Sequence, residues 1–67
     1  MGSVNFNVGD LVIIRAEDAF EGVFDGELGF VMSRPYSSFT YVTIFSDPES
    51  EILFKNSEIS LYNPLDD

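Results

Sequence analysis

The chain of 67 residues contains neither cysteine nor histidine. Without cysteine it cannot form a disulfide framework or a thiolate metal site. Without histidine it lacks the side chain that most often serves as a general base or as a transition-metal ligand near neutral pH. A chain this short forms at most one small domain, whose stability depends on a well-packed core. We therefore expect a protein that is not an enzyme and that has no metal site and no cofactor.

Positive charge is the next scarce feature. The chain has twelve Asp and Glu residues but only three basic residues, Arg15, Arg34 and Lys55, which gives a formal net charge of −9. This excess of negative charge repels phosphate backbones, so direct nucleic-acid binding is not expected. It favours solubility and, where the chain has a specific protein partner, a basic surface on that partner.

Long apolar runs are also missing, so the sequence predicts no membrane span. The first residues, MGSVNFN, lack the basic and apolar regions of a signal peptide. A cytoplasmic location is therefore the expectation. Disorder is not expected, because seven Phe and three Tyr are more aromatic residues than disordered chains usually contain.

What the chain does contain is a series of short strand patterns. β-Branched and aromatic residues predict five strands, at residues 6–15, 28–33, 39–45, 51–55 and 59–63. Proline and serine predict turns at 34–38 and 46–50, and a long loop with five acids spans 16–27. A single helical turn, capped by Asn56 or Ser57, is predicted before the last strand.

Five short strands without a long helical segment predict an all-β domain over residues 6–63, arranged as a closed or nearly closed barrel. In the simplest arrangement a three-strand meander occupies the middle, and the first and last strands close the barrel. Residues 1–5 are expected to form a flexible N-terminus and residues 64–67 a frayed C-terminal tail.

Several motifs resemble those of KOW-type SH3-like barrels, which occur in transcription-elongation factors and ribosomal proteins. FNVGDLVII at residues 6–14 is similar to their opening, and FEG at 20–22 is similar to their loop. Gly29 resembles the signature glycine of their second strand, and EILFKNSEISL at 51–61 resembles their closing strand, turn and strand. The resemblance implies a five-stranded SH3-like (KOW-like) barrel, here with a long acidic first loop and a single helical turn before the last strand.

The resemblance does not extend to RNA binding. KOW modules that contact RNA are basic, whereas this chain is acidic, and its first loop is several residues longer. SH3-like barrels perform many unrelated functions, so the likeness implies a fold rather than an activity. IIRAEDAF followed by GELGFV is also similar to SH3-like accessory subunits of photosynthetic electron-transfer complexes, which dock on larger protein assemblies.

Side chains alternate along a strand, so each strand contributes to an inner and an outer face. The inner face is expected to bury Val12, Ile14, Val31, Val42, Ile44, Ile52, Phe54, Ile59 and Leu61, with Val8 and Leu28 at its border. A barrel of this size is filled by such side chains and holds no ligand cavity.

The outer face is predicted to be apolar as well, which is unusual for a monomer. We predict that it binds a partner through side chains of types that are enriched at interfaces, namely Leu11, Ile13, Phe30, Met32, Tyr41, Phe45 and Leu53. The predicted acidic rim of this surface consists of Glu17, Asp18, Glu21, Asp25 and Glu27.

Other coverings of the outer face are open alternatives. The long loop could fold back over it through Phe20 and Phe24 and form a second small core. A homodimer could also cover it. Arg15, which follows the first strand, is expected to form a local ion pair with Glu17 or Asp18.

Two kinds of ligand site are alternatives to a structural role for the loop acids and the aromatic rings. The loop acids could bind calcium, although their spacing matches no EF-hand. An aromatic cage around a cationic side chain could form from Tyr36, Tyr41 and the phenylalanines Phe20, Phe24 and Phe39. Core or interface packing is the simpler account of these rings.

The sequence therefore predicts a non-enzymatic protein-interaction module, a small accessory or regulatory subunit that docks on a larger protein or complex. One alternative is an acidic mimic of nucleic acid, for example one encoded by a phage, that inhibits a nucleic-acid-binding protein. Another is a KOW-like factor that contacts the proteins of the transcription or translation machinery. No motif in the sequence identifies the partner.

Overall fold

Five antiparallel strands form a single sheet in the computed structural model, which describes residues 6–34 and 36–63. The strands are β1 (Leu11–Ile14), β2 (Leu28–Ser33), β3 (Phe39–Ile44), β4 (Asp47–Lys55) and β5 (Ile59–Leu61). The helical elements of the described residues are two short 3-10 turns, Phe20–Gly22 and Asn56–Glu58. The predicted all-β class, the five strands and the single helical turn before the last strand are confirmed.

The strand order is β4-β3-β2-β1-β5, so β4 and β5 form the two edges of the sheet. The sheet is not closed within the described residues, so the predicted closure into a barrel is not confirmed. β1 lies between β2 and β5, and Val12 pairs with Gly29 on one side and with Leu61 on the other. The chain thus forms a meander of β1 to β4 and then returns to place its last strand beside its first. The terminal segments assigned to residues 1–5 and 64–67 lie outside the described residues.

The largest differences from the predicted strand boundaries are at the starts of β1 and β4. β1 begins only at Leu11, because the residues before it form a turn in which Gly9 has a φ of 95° and the Asp10 carboxylate accepts a hydrogen bond from the Asn7 N–H at 2.8 Å. The turn predicted at 46–50 is shorter, since Ile44 already pairs with Asp47 and only two residues connect β3 to β4.

The inner face of the sheet forms the core. Its buried hydrophobic side chains are Phe6, Val12, Ile14, Ala16, Val31, Val42, Ile44, Phe54 and Ile59. Seven of these were predicted, which confirms the register, because a slip by one residue would have exchanged the two faces.

Four core predictions need correction. Leu61 is 54% exposed because it lies on the edge strand β5, and Val8 is 67% exposed because it lies in the turn before β1. Ile52 is only half-buried, although it packs against the core. Leu28 pairs with Ile13 and therefore shares the outer face with it.

Gly29 marks the closest approach between β2 and β3. It lies opposite Ile44 on the inner face and is buried. A Cβ atom at this position would collide with the carbonyl oxygen of Thr43 and would lie 2.9 Å from Cγ1 of Val42. The glycine is therefore required by packing.

The long first loop packs against the core rather than over the outer face. The rings of Phe20 and Phe24 contact the buried ring of Phe54 edge-on, with centroid distances of 5.4 and 5.9 Å. Phe20 and Glu21 adopt left-handed conformations, with φ angles of 53° and 57°, in the turn that carries Phe20 to this position. Such angles are uncommon for residues other than glycine. The alternative in which the two rings cover the outer face is therefore wrong.

The turn before β5 is held by a polar network that differs from the predicted cap. Asn56 Oδ1 accepts a hydrogen bond from the buried Thr40 hydroxyl at 2.7 Å, and Asn56 Nδ2 donates to the Ser37 carbonyl at 2.9 Å. The Asn56 side chain thus ties β3 to the turn instead of capping it. Neither Asn56 nor Ser57 is the N-cap, because that position belongs to Lys55, whose N–H donates to the Glu58 carboxylate at 2.9 Å.

Candidate protein-interaction surface

The side of the sheet opposite the core carries a continuous set of apolar side chains, which we call the outer apolar face. Directly opposed residues of antiparallel strands point to the same side, and the register pairs Leu11 with Phe30 and Tyr41 with Leu53. The outer apolar face consists of Leu11, Ile13, Leu28, Phe30, Met32, Tyr41, Phe45 and Leu53. It contains all seven predicted partner-binding residues, with Leu28 in addition.

The most exposed part of this face is a group of three large side chains. Phe45 is 51% exposed, Phe30 is 42% exposed and Met32 is 41% exposed. The rings of Phe30 and Phe45 contact each other with their centroids 5.1 Å apart. The Phe45 N–H donates to the Leu28 carbonyl at 2.9 Å, which extends the β2–β3 pairing to the end of the face. These rings are held by the sheet and remain accessible to solvent.

An acidic segment of β4 borders the exposed rings. The register jumps from Val42–Ile52 to Ile44–Asp47, so residues 48–51 leave the ladder as a bulge opposite Thr43. The Thr43 hydroxyl lies 3.0 Å from the Pro48 carbonyl oxygen and 2.7 Å from that of Ser50, and can donate to either. The bulge therefore lies over Thr43 on the outer side of the sheet.

Three exposed acids project from this part of β4, and we call them the hairpin acids: Asp47, Glu49 and Glu51. They follow Phe45 directly in the chain after the two-residue turn. The sequence predicts a simple turn at residues 46–50, so it does not assign these acids to the interaction surface. The alternation of acids at 47, 49 and 51 was the available signal, because it is typical of a strand with one solvated side.

The acids of the first loop lie at three places. Glu17, Asp18 and Asp25 line an open cleft of about 460 Å³ together with Arg15 and Glu58. Asp25 is held there because its Oδ1 accepts a hydrogen bond from the Ala16 N–H at 3.0 Å. Glu21 is exposed in the left-handed turn that packs on Phe54. Of the predicted rim, only Glu27 contacts the Phe45 end of the outer apolar face, since the Ser46 hydroxyl donates to its carboxylate at 3.4 Å.

Arg15 lines the same cleft without the predicted ion pair. Its backbone N–H donates to the Glu58 carbonyl at 2.6 Å. Within residues 6–34 and 36–63, its guanidinium forms no ion pair of 4.0 Å or less with Glu17 or Asp18. The cleft therefore combines one cation with four nearby carboxylates, all of them open to solvent screening.

The residues of the other two candidate ligand sites, the calcium site and the aromatic cage, do not come together in the structure. In the part of the chain that the structure describes, no three acidic side chains converge as a metal ion would require. The rings proposed for an aromatic cage separate into two groups. Phe20 and Phe24 pack on Phe54, whereas Tyr36 contacts Phe39 with a centroid distance of 6.2 Å.

Comparison of the chain with protein-family models, with curated proteins and with solved structures gave no significant match. Among the described residues, no helix has the length and apolar character needed to cross a bilayer. The interpretation of function therefore depends on the geometry of the sheet and its two faces.

Proposed function

We propose that this chain is a non-enzymatic protein-interaction module, a small accessory or regulatory subunit that docks on a larger protein or complex through its outer apolar face. The observation that carries the proposal is the exposure of Phe30, Met32 and Phe45 on one face of the sheet, with the rings of Phe30 and Phe45 in contact. Large aromatic and Met side chains of this kind are enriched at the centres of protein interfaces. An acidic rim, to which Glu27 belongs, completes the surface.

An SH3-like (KOW-like) barrel is part of this proposal. The adjacency of β1 and β5, the central meander and the 3-10 turn immediately before β5 support it. The acidity of the chain argues against an RNA-binding role within such a fold. Barrels of this type present their outer surface to partners of many kinds, so the fold is compatible with docking but does not select a partner.

The absence of catalysis is supported by the chemistry of the residues. The sequence has no histidine or cysteine to activate a nucleophile. The cleft at Arg15 is open, and carboxylates line it together with the guanidinium. Such a solvated cleft lacks the excluded, preorganised environment on which electrostatic catalysis depends.

The test replaces two exposed apolar residues by serine, in the double variant Phe30→Ser with Met32→Ser. We expect it to remain a folded, soluble monomer and to lose binding to the partner recovered from an extract of the source cells. The matched control is Val23→Ser with Leu61→Ser, which removes two exposed apolar side chains, 66% and 54% exposed, that are not on the outer apolar face. Unchanged binding by the first variant would overturn the proposal.

A second candidate, an acidic nucleic-acid mimic, is favoured by the carboxylates that surround the cleft at Arg15. In that case binding weakens steeply with salt, and reversal of charge at Glu17, Asp18 and Glu21 weakens it more than the serine variant does. If the partner instead proves to be RNA polymerase or the ribosome, recovered together with the chain, the KOW-like factor is the correct function.

A further inference from the structure

We propose that the occupant of the outer apolar face is a basic protein surface, whose apolar residues pack on Phe30 and Phe45 and whose Lys or Arg side chains meet the hairpin acids. This inference rests on the proposed function and adds the chemical class of the partner. It also assigns the electrostatic part of the contact to Asp47, Glu49 and Glu51 rather than to the long first loop.

The position of the hairpin acids is fixed by the bulge in β4. The Thr43 hydroxyl lies within hydrogen-bond distance of two carbonyl oxygens of the bulge, at Pro48 and Ser50. Thr43 pairs with Phe30 across β2 and β3, so the bulge begins next to the exposed ring of Phe30. Glu49 and Glu51 therefore flank the apolar centre, whereas Asp47 is opposed to the inward-facing Ile44. Most of the first-loop acids line the cleft beside Arg15.

The charge is unevenly distributed along the outer apolar face. At the Phe45 end lie the three hairpin acids and the Glu27 carboxylate, which is held by Ser46. At the other end of β4, Lys55 pairs with Phe39. A partner with cations on one side of its apolar centre is therefore bound in one orientation, because complementary charge fixes the register of docking.

A second copy of the chain is a poor occupant by the same argument. Each copy carries twelve acidic residues and only three cations. Pairing two outer apolar faces would bring the hairpin acids of both copies into one interface with too few cations to neutralise them. Like charges placed together in this way oppose association.

Strand addition at the edge of β4 is also disfavoured. The edge contains Pro48, which has no N–H to donate, and a bulge that interrupts the ladder. Glu49 and Glu51 add charge at the same place. Proline, bulges and charged residues are the devices by which proteins block pairing at sheet edges. The partner is therefore expected to bind through side chains on the face and not through the backbone of β4.

The experiment compares two charge-reversal variants that change the net charge equally. One carries Glu49→Lys with Glu51→Lys in the hairpin, and the other carries Glu17→Lys with Asp18→Lys at the cleft. The protein recovered with the full wild-type chain is purified, and its affinity for the wild type, both variants and the Phe30→Ser with Met32→Ser variant is measured at low and high salt. Sedimentation of the chain alone gives its oligomeric state.

We expect the hairpin reversal to weaken binding by about tenfold or more at low salt, by a factor well above that of the cleft reversal, with a difference that shrinks as salt screens it. The chain alone should sediment as a monomer. If the serine variant abolishes binding but the two reversals weaken it equally, the proposed function stands and this inference fails. If the serine variant binds normally, both fail. If the chain alone is a dimer that the serine variant dissociates, the occupant is a second copy and the inference is overturned.

Discussion

The two faces of the sheet are built from similar side chains but differ in how far other segments of the described chain cover them. The inner face is closed by Phe6 and by the first loop, whose Phe24 packs against the core, so that Val12, Val31 and Phe54 are fully buried. Among the described residues, the short bulge of β4 covers Thr43 on the outer apolar face, whereas Phe30, Met32 and Phe45 stay exposed. Both faces are hydrophobic, but the inner face is buried and the described residues cover the outer face only in part.

This difference shows why apolar composition alone does not define a core. A hydrophobic side chain stabilises the fold only when another part of the chain removes it from water. The first loop supplies aromatic rings to the inner face and none to the outer face. Hydrophobicity that the chain itself leaves uncovered is available for a partner, and variants on the two faces should separate the two roles.

The largest contrast is expected between two phenylalanines on opposite faces. Phe54 is fully buried and contacts Phe20 and Phe24, so Phe54→Ala should lower the free energy of unfolding by about 3–5 kcal/mol. Phe45 is 51% exposed and contacts Phe30, so Phe45→Ala should cost about 1 kcal/mol or less. Urea denaturation followed by circular dichroism measures both values.

A domain of this size has a total stability of about 3–10 kcal/mol. Phe54→Ala should therefore leave a large unfolded population, whereas Phe45→Ala should remain folded. Equal losses at the two positions would contradict the assignment of the faces.

The next effect tests how closely the inner face is packed. Gly29→Ala places a methyl group against the Thr43 carbonyl and 3.1 Å from Cα of Ile44, so β2 and β3 must move apart. We expect a loss of about 1–3 kcal/mol, which is the range for an overpacked core. A thermal melt of the variant checks this value. An unchanged melting temperature would mean that the two strands are further apart at this point than the structure indicates.

The smallest effect concerns the β4 bulge that lies over Thr43 on the outer side of the sheet. Thr43→Val keeps the shape of the side chain but removes the hydroxyl that bonds the β4 bulge. The expected cost is about 1 kcal/mol, together with faster amide hydrogen exchange at residues 49–51. Thr43→Ser, which keeps the hydroxyl, is the control and should exchange at the wild-type rate. Identical exchange in both variants would show that the bulge is held by other contacts.

Much of the fold could be predicted from local sequence. β2 begins and ends where the pattern LGFVMS predicted, and the turn Asn56–Glu58 lies where NSE predicted a helical turn. Alternation along β1 correctly assigned Val12 and Ile14 to the inner face. These features depend on residues that are near one another in the chain, so a single sequence contains the necessary information.

The features that were missed depend on contacts between distant residues. Phe6 and Ala16 are buried outside the strands of the structure, and their burial depends on packing against the core. The position of the first loop is decided by ring contacts with Phe54, which its own sequence does not reveal. The segment that contains the hairpin acids was predicted to be a turn, because Asp-Pro usually marks one. The bulge in this part of β4 depends on the hydroxyl of Thr43 in the neighbouring strand.

The position of β1 has a consequence for how the chain is made. β1 is synthesised before one of its two partners, β5, which comes from nearly the opposite end of the described chain. Until Ile59 and its neighbours emerge, one side of β1 has no partner, and the nascent chain exposes unpaired backbone together with the residues of both apolar faces. Such non-local pairing slows folding and prolongs exposure to aggregation. The negative charge of the chain opposes association of neighbouring nascent copies during that interval.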